Sequence, residues 1–385
     1  MENWKSAFLL RDDITFLNFG SFGACPKPIF ERYQAYQLEL ENEPVAFIAH
    51  KSTQYLQAAR SALGSFLNCD ANDVVCIMNP SYGVNIIARS LNLQAGDEIL
   101  TTNLEYGACN KTWEFIASKT GAIYKKQAIS LPIASKEELI EAIVSGINPN
   151  TKLLFISHIT SSTGLRLPVE EICAIAKEKG ILTLVDGAHG PAQVDINLQT
   201  LQADFYVGAC HKWMMGPKGT SFLYAAKNVQ HLLEPLIVSW GYGNPQFQIS
   251  PFIDYHEVQG TRDLSAFCTL PFVVDFLRQN DWETISSECR KMVQTNAKRF
   301  CELLEQVPLS PIQDEFIAQM YSIKINTRSP TSLHDELLEK YKIQIPISQL
   351  DNQYFIRYSI NAFNSQNDLD QLYDALTILK SEGKV

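Results

Sequence analysis

The residues with the clearest chemical potential are a lysine and an aspartate that each follow a predicted strand. Lys212 lies in residues 211–219, directly after the apolar run 205–208. In open α/β sheets ligands bind at the carboxyl ends of strands, and the flanking Trp213 and Met214 would exclude water from the amine. Desolvation lowers the pKa of an amine, so Lys212 would be available for Schiff-base chemistry. The simpler alternative is a solvated loop lysine beside aromatic cover.

Asp186 closes a second apolar run, residues 181–185, and begins the segment Asp186-Gly187-Ala188-His189-Gly190. A carboxylate at a buried strand end suits a partner for a protonated ring nitrogen, and the glycines keep the backbone close. A turn or helix-capping aspartate is the equally simple alternative. Because a histidine in such a place more often orients or packs than catalyses, His189 is not chosen as the base.

Two further segments contain groups that can bind an anion. Ser81, Tyr82 and Gly83 join a predicted strand to a predicted helix, whose first N–H groups would form an anion-binding cup. Capping of the helix alone is the common alternative. Arg357 lies in a predicted C-terminal strand, where its guanidinium can hold a carboxylate in a bidentate pair. A solvated arginine on an edge strand is the alternative.

The elements that must position these residues alternate between short apolar runs and helical patterns. This alternation predicts crossover connections and an α/β fold, a mostly parallel, doubly wound sheet with helices on both faces. Seven strands are predicted for this sheet, at residues 74–78, 98–101, 122–125, 152–157, 181–185, 205–208 and 220–224, and two more in the C-terminal part, at residues 321–325 and 354–360. Helices are predicted at residues 29–41, 53–67, 84–93, 112–119, 136–145, 169–179, 270–279, 282–306, 333–340 and 367–380.

The domain organisation follows from the same patterns. Residues 1–65 are predicted to form an N-terminal arm that is part of a small domain, and residues 66–265 a large domain. Residues 266–385 would form a smaller C-terminal α/β domain with a long linking helix near residues 282–306. Residues 239–262, rich in Gly, Pro and aromatic residues, predict a long loop of functional or interface type.

Composition narrows the class of protein. The 385 residues are 46% hydrophobic and carry a formal net charge of −10, so a disordered chain is excluded and nucleic-acid or anionic-membrane partners are disfavoured. Nine cysteines without a C-x-x-C pair indicate free thiols in a reducing cytoplasm. Neither a signal peptide nor a transmembrane helix is expected. Dinucleotide, P-loop, nucleophile-elbow and metal-ligand motifs are absent, so no metal is expected.

Taken together these features resemble the class V aminotransferase family of fold-type I pyridoxal-phosphate (PLP) enzymes, and most closely isopenicillin N epimerase-like proteins. A phosphate cup is followed by Asp186 and then, 26 residues later, by Lys212. The segments that carry the resemblance span most of the chain in the family's order, at residues 16–26, 42–47, 105–108, 157–161, 185–189, 211–216 and 260–263. The implied fold is that of PLP-dependent transferases.

The resemblance also implies roles for individual residues. Lys212 would bind PLP covalently and take the Cα proton of the substrate, and Asp186 would pair with the ring nitrogen. Tyr106 would stack on the ring, and Ser161 would donate to the ring hydroxyl. The phosphate would be held by Ser81, Tyr82, Gly83 and His211. Further cofactor or substrate contacts are implied for His189, Asn18, Ser21 and Arg357, the last binding the substrate carboxylate.

In this family the segment that matches Gly260-Thr261-Arg262 comes from the neighbouring subunit. The resemblance therefore implies a homodimer with shared active sites, in which Thr261 and Arg262 complete the phosphate site.

The reaction itself stays open at this point. Loss of the Cα proton of an amino acid or small amine-bearing substrate can lead to epimerisation, transamination or β-elimination such as C–S lysis. A non-catalytic PLP-binding regulator or scaffold is the alternative from another class.

Two departures from the family pattern narrow these options. Residues 341–355, before Arg357, contain no cysteine, which disfavours persulfide chemistry of the cysteine desulfurase type. Phe19 and Ala46 stand where relatives often carry His and Arg near the substrate, so the substrate of the epimerases is not transferred.

Overall fold

The computed structural model describes residues 4–243 and 249–385. Residues 1–3 lie outside the described residues. The expectation that no signal peptide is present was based in part on these residues. Residues 244–248, inside the predicted long loop, also lie outside the described residues.

The N-terminal segment contacts the C-terminal part of the chain before the large sheet begins. Its elements are β1 (Thr15–Phe16), α1 (Phe19–Phe22), α2 (Lys27–Asn42) and α3 (Ser52–Leu67), with a π-helical turn at Ala46–Lys51. β1 pairs in parallel with Ile343 and Gln344, which joins the two ends of the sequence. The two long helices match the predicted ones, and the short elements were not predicted.

Strands and helices then alternate through the large sheet, as predicted. They are β2 (Val74–Ile77), α4 (Pro80–Ser90), β3 (Glu98–Thr102), α5 (Gly107–Thr120), β4 (Ile123–Gln127), α6 (Lys136–Val144), β5 (Thr151–Ser157), α7 (Val169–Glu178), β6 (Leu182–Gly187), α8 (Leu198–Leu201), β7 (Phe205–Ala209) and β8 (Ser221–Ala225). The strand order is β2-β8-β7-β6-β5-β3-β4, and β8 runs antiparallel to both of its neighbours while the other pairs are parallel.

Both faces of this sheet are covered. Successive side chains of β5 alternate between two separate apolar cores, Leu154 and Ile156 in one and Leu153 and Phe155 in the other, and all four are fully buried. A strand buried on both faces has to be apolar at every position, which explains the continuous run in the sequence. The predicted mostly parallel seven-stranded sheet with helices on both faces is confirmed.

Four helices follow the large sheet: α9 (Pro251–Glu257), α10 (Ser265–Cys268), α11 (Leu270–Gln279) and α12 (Trp282–Leu303). The prediction of a continuous loop over residues 239–262 is wrong where α9 lies. Ser250 caps this helix by accepting a 3.2 Å hydrogen bond from the N–H of Ile253, and Pro251 occupies its first turn. Ser-Pro is a helix-start signal that the surrounding Gly and aromatic residues obscure.

The C-terminal part contains β9 (Met320–Ile325), α13 (Pro330–Glu339), β10 (Ile343–Gln344), β11 (Ile347–Leu350), β12 (Gln353–Ser359) and α14 (Gln366–Ser381). Strands β11, β12 and β9 form an antiparallel sheet in that order. The short strands β10 and β11 were not predicted. The boundaries between the domains stay a prediction. Within residues 4–243 and 249–385, no helix combines the length and apolar character needed to cross a membrane.

Candidate active site

A cavity of about 290 Å³ opens at the carboxyl ends of β2, β3, β5, β6 and β7. Because these strands are mutually parallel, the segments that follow them meet at one edge of the sheet. The cavity brings together eight residues predicted for the site: Ser21, Ser81, Tyr106, Ser161, Asp186, His189, His211 and Lys212.

Lys212 lies in the loop, residues 210–220, that joins β7 to its antiparallel neighbour β8. Gly23 packs against this loop with φ +64°, and a Cβ there would lie 2.2 Å from the carbonyl oxygen of His211. Only glycine therefore allows the N-terminal segment to approach the lysine so closely. Burial lowers the pKa of Lys212 to about 8, with Arg357 adding to the effect and Asp186 opposing it. A substantial fraction of the amine is consequently neutral near pH 7 to 8.

His189 lies between Lys212 and Trp213. Its Nε2 is 3.3 Å from Nζ of Lys212, and its Nδ1 accepts a 3.3 Å hydrogen bond from the indole N–H of Trp213. Burial lowers the pKa of His189 well below its ordinary value, with Lys212 contributing to the shift. The imidazole is therefore neutral. The sequence predicted that Trp213 excludes water from Lys212. Its contact with His189 was not predicted, since that contact depends on how the chain turns between β7 and β8.

Asp186 is the last residue but one of β6 and is almost fully buried. One carboxylate oxygen accepts a 3.0 Å hydrogen bond from the N–H of Ala188, and the other lies 3.5 Å from Sγ of Cys109. Burial raises the pKa of Asp186, while the N–H of Ala188 and the charge of Lys212 oppose this shift. The carboxylate thus keeps few protein partners, which leaves it capacity for a cationic group in the cavity.

Glu105 is a buried carboxyl that sequence reasoning quoted only as part of a motif. It accepts hydrogen bonds from the hydroxyls of Thr102, at 2.7 Å, and Ser157, at 2.5 Å. Burial raises its pKa to about 7, and the charge of Asp186 adds to this effect. Ser157 also lines the cavity, so Glu105 is connected to the site through one hydroxyl. A charged residue three positions after a buried strand was the available signal.

The start of helix α4 borders the same cavity as the residues described above. Ser81, in its first turn, lines the cavity together with Asp186. Asn79 caps this helix and accepts a 2.8 Å hydrogen bond from the N–H of Tyr82. Gly83 faces the sheet, where a Cβ would lie 2.6 Å from Val207. Tyr82 and Gly83 do not line the cavity among the described residues, and their predicted phosphate contacts stay a prediction.

His211 completes this end of the cavity. Its Nδ1 is 2.8 Å from the carbonyl oxygen of Thr220, so that nitrogen carries the proton of the neutral ring. Burial lowers the pKa of His211 to about 4. A bound dianionic phosphate would favour the protonated ring, whose Nε2 then becomes a second donor.

Arg357 lies behind the cavity wall, on β12. It donates to the carbonyl oxygen of Ser161 and, over 3.3 Å, to the hydroxyl of Ser21, and both of these residues line the cavity. Ser21 in turn donates to the side chain of Asn18. The predicted substrate-binding residues Asn18, Ser21 and Arg357 are thus connected, although Asn18 and Arg357 do not line the cavity among the described residues.

Phe19, Thr261 and Arg262, which the sequence placed at or near the site, do not line the cavity among the described residues. Thr261 is exposed, and Arg262 donates to the backbone carbonyl of Glu257 over 3.4 Å. Phe19 is fully buried against the ring of Trp213, at 5.2 Å between centroids. Its ring supports Trp213, and the expectation that Phe19 lies near the substrate stays a prediction.

Comparison with known proteins identifies the family of this chain. The model of the family described as aminotransferase class V matches residues 23–372. Isopenicillin N epimerase of Streptomyces clavuligerus is 30% identical over 99% of this chain and 99% of its own length. The chain belongs to the class V aminotransferase family. It is therefore a PLP-dependent enzyme, as the resemblance implied, and a non-catalytic scaffold is disfavoured.

Other relatives of this class V enzyme are named for different activities. A probable chloroplastic L-cysteine desulfhydrase of Arabidopsis thaliana is 26% identical over 96% of this chain and 84% of its own length. The cystine C–S lyase C-DES, solved with its product cysteine persulfide, has a TM-score of 0.80 at 22% identity, covering 95% of this chain and 98% of that chain. A C-DES mutant was solved with glycine covalently linked to its PLP cofactor. These relatives leave the specific reaction open.

The residues of the cavity fit PLP by the chemistry of their donor groups. The cofactor presents an aldehyde, a ring nitrogen and a phosphate, and the cavity presents the amine of Lys212, the carboxylate of Asp186 and the start of helix α4. A cavity that offers one suitable partner to each of these groups is the arrangement that PLP requires.

Proposed function

We propose that this class V enzyme acts at Cα of an amino acid or small amine-bearing substrate, with Lys212 as the base and Asp186 as the partner of the cofactor ring. The observation that carries the proposal is the shared cavity of Lys212 and Asp186 at the carboxyl edge of the parallel sheet. When bound, PLP supplies an electron sink that stabilises negative charge at Cα of the substrate.

Each of the other roles in binding and catalysis would belong to a residue of the chain. Lys212 would hold PLP and, once displaced by the substrate amine, would take the Cα proton, for which its pKa of about 8 is suitable. Asp186 would keep a proton on the ring nitrogen, and Tyr106 would pack on the ring. Ser161 would donate to the ring hydroxyl. The phosphate would contact Ser81, Tyr82, Gly83, His211 and, from a second subunit, Thr261 and Arg262.

Arg357 would bind the α-carboxylate of the substrate. It donates to Ser21 and Ser161, and both of those residues reach the cavity. A guanidinium held at this wall would select substrates that carry a carboxylate beside the reacting amine.

Epimerase-like chemistry is the first candidate for the fate of the carbanion, supported by the 30% identity to isopenicillin N epimerase over nearly the whole chain. C–S β-elimination is the second candidate, supported by the desulfhydrase relative. A persulfide route of the desulfurase type lacks its nucleophile, because residues 341–355 contain no cysteine. Cys109, beside Asp186, is also unsuitable, since burial raises its thiol pKa well above the ordinary value.

Product analysis in deuterated water over a panel of L- and D-amino acids tests the proposal. Deuterium at Cα with loss of chirality selects epimerisation, a keto acid selects transamination, and ammonia with a released thiol selects elimination. Absence of Cα exchange from every substrate in the panel, with PLP bound, would reject the proposed function.

We also propose that the enzyme is a cytoplasmic homodimer with shared active sites. Large apolar side chains are exposed in the segment before residue 244, among them Val238 at 69% and Trp240 at 73%, which favours cover by a second subunit. The nine cysteines are free thiols, as a reducing compartment allows.

A further inference from the structure

The imidazole of His189 is held by two groups with different hydrogen-bonding ability. The indole N–H of Trp213 points to Nδ1 at 3.3 Å, and Nζ of Lys212 lies 3.3 Å from Nε2. An indole N–H is a donor only, so Nδ1 has to be the acceptor in this pair. A neutral imidazole has one protonated nitrogen, and its proton must then reside on Nε2.

We propose that Trp213 is a positioning residue that fixes His189 as the Nε2–H tautomer, so that the Nε2–H group of His189 donates a hydrogen bond to the neutral amine of Lys212. The opposite tautomer would point two N–H groups at each other between His189 and Trp213. A protonated Lys212 offers only donors to a nitrogen that is itself a donor. The arrangement therefore favours the neutral amine, which is the form that attacks a carbonyl.

The surroundings keep His189 neutral and Trp213 in place. The titratable groups that face the imidazole are Lys212, Arg357 and His211, and a positive charge on any of them disfavours a further positive charge on the ring. The indole of Trp213 is fully buried against Phe19, at 5.2 Å between ring centroids. Phe19, which departs from the family pattern, thereby supports the indole that orients His189.

The catalytic meaning of this inference rests on the proposed function, but the tautomer itself is a property of the cofactor-free protein. Long-range ¹H–¹⁵N NMR on cofactor-free protein labelled at histidine nitrogen separates the two tautomers. His189 is assigned by comparison with His189→Gln. We expect the Nε2–H form alone at neutral pH, and an Nδ1–H or doubly protonated ring in the wild-type protein would overturn the proposal.

Two variants separate the hydrogen bond from the loss of a buried indole. Trp213→Phe removes the N–H and keeps an aromatic ring against Phe19. Trp113→Phe is the matched control, because Trp113 is also fully buried and its indole N–H has no hydrogen-bond partner among the described residues. We expect the Nδ1–H form to appear in Trp213→Phe and to stay undetectable in Trp113→Phe.

A second measurement on the same proteins follows the amine. The rate at which an amine-specific reagent labels Lys212, read by peptide mass spectrometry, gives its apparent pKa. We expect that pKa to rise in Trp213→Phe and to stay near 8 in Trp113→Phe. Unchanged values in both proteins would contradict the inference. Because no cofactor or substrate is present, the labelling result does not depend on whether the proposed reaction is correct. If Trp213→Phe does not fold, the NMR spectrum of wild-type His189 still decides the question.

Discussion

The hydroxyl of Ser157 donates a 2.5 Å hydrogen bond to Glu105, a carboxyl that is buried near Asp186. Ser157 is the last residue of β5 and pairs in register with Asp186 on β6. Two carboxyl groups thus lie close to one strand end, and their mutual repulsion favours a proton on one of them. Glu105 is the better candidate for that proton, because Lys212 stabilises the charge of Asp186.

Glu105 should make the stability of the fold depend on pH. Its pKa rises from 4.5 in the unfolded chain to about 7 in the native state, so the native state holds a proton that the unfolded chain has released. Stability should therefore fall as pH rises from about 4.5 to about 7, by up to roughly 3 kcal/mol. Glu105→Gln should remove this component and be more stable than the wild type at pH 8.

Urea denaturation at pH 5 and at pH 8 measures this difference. Glu41→Gln on the exposed face of α2 is the control, and its stability should follow the wild type at both pH values. A Glu105→Gln protein with the same pH dependence as the wild type would show that Glu105 is ionised throughout.

The sequence predicted the parts of this site that depend on local pattern. Asp186 and Lys212 each follow an apolar run, and parallel strands bring such positions to one edge without any further information. The contact of Arg357 with Ser161 spans 196 residues, and that of Cys109 with Asp186 joins a helix to another strand end. Such pairs depend on tertiary packing, which periodicity does not encode.

The surroundings of Glu105 and Gly83 likewise depend on tertiary packing and could not be predicted from the sequence. A carboxyl is rarely buried unless it is hydrogen-bonded, and the hydroxyls that satisfy Glu105 come from two different strands, β3 and β5. Gly83 is predicted to contact a phosphate because of its place at a helix start, and that contact stays a prediction. The sequence did not indicate that its missing side chain also leaves room for Val207 of the sheet.

Lys212→Ala should abolish the covalent attachment of PLP. Borohydride reduction followed by peptide mass spectrometry should find the cofactor on the peptide containing residue 212 in the wild type and nowhere in the variant. Lys218→Ala is the matched control, because Lys218 lies in the same loop but lines a different cavity with Cys25. A reducible link that survives in Lys212→Ala would move the site to another lysine.

The charges beside Lys212 should shift its pKa in opposite directions. Arg357 lowers the pKa of Lys212 and Asp186 raises it, on top of the larger effect of burial. Labelling of the cofactor-free amine should therefore need a higher pH in Arg357→Met and a lower pH in Asp186→Asn than the wild-type value of about 8. Shifts of the same sign in both variants would mean that changes in solvent exposure outweigh these charges.

Arg357→Met should also weaken substrate binding more than it slows the chemical step. The loss of one charge-assisted bidentate contact corresponds to about 1.5–3 kcal/mol, or about 10- to 150-fold in KM. Arg290→Met on α12 is the control, since that arginine pairs with the exposed Asp314. Steady-state kinetics on the substrate identified by the panel measures the change, and an unaltered KM would remove Arg357 from carboxylate recognition.

A shared active site makes a quantitative prediction for mixed dimers. We assume that Thr261 of one subunit completes the active site that contains Lys212 of the other. A Lys212→Ala chain should then be inactive alone because it lacks the amine. A Thr261→Asp chain should also be inactive alone, because aspartate repels the phosphate. In their heterodimer one site would contain both defects and the other neither. Random reassociation should then restore about a quarter of wild-type activity, since about half of the dimers have one intact site of two. Activity that stays at the sum of the two inactive parents, in a preparation that sedimentation shows to be dimeric, would mean that each subunit builds its own site.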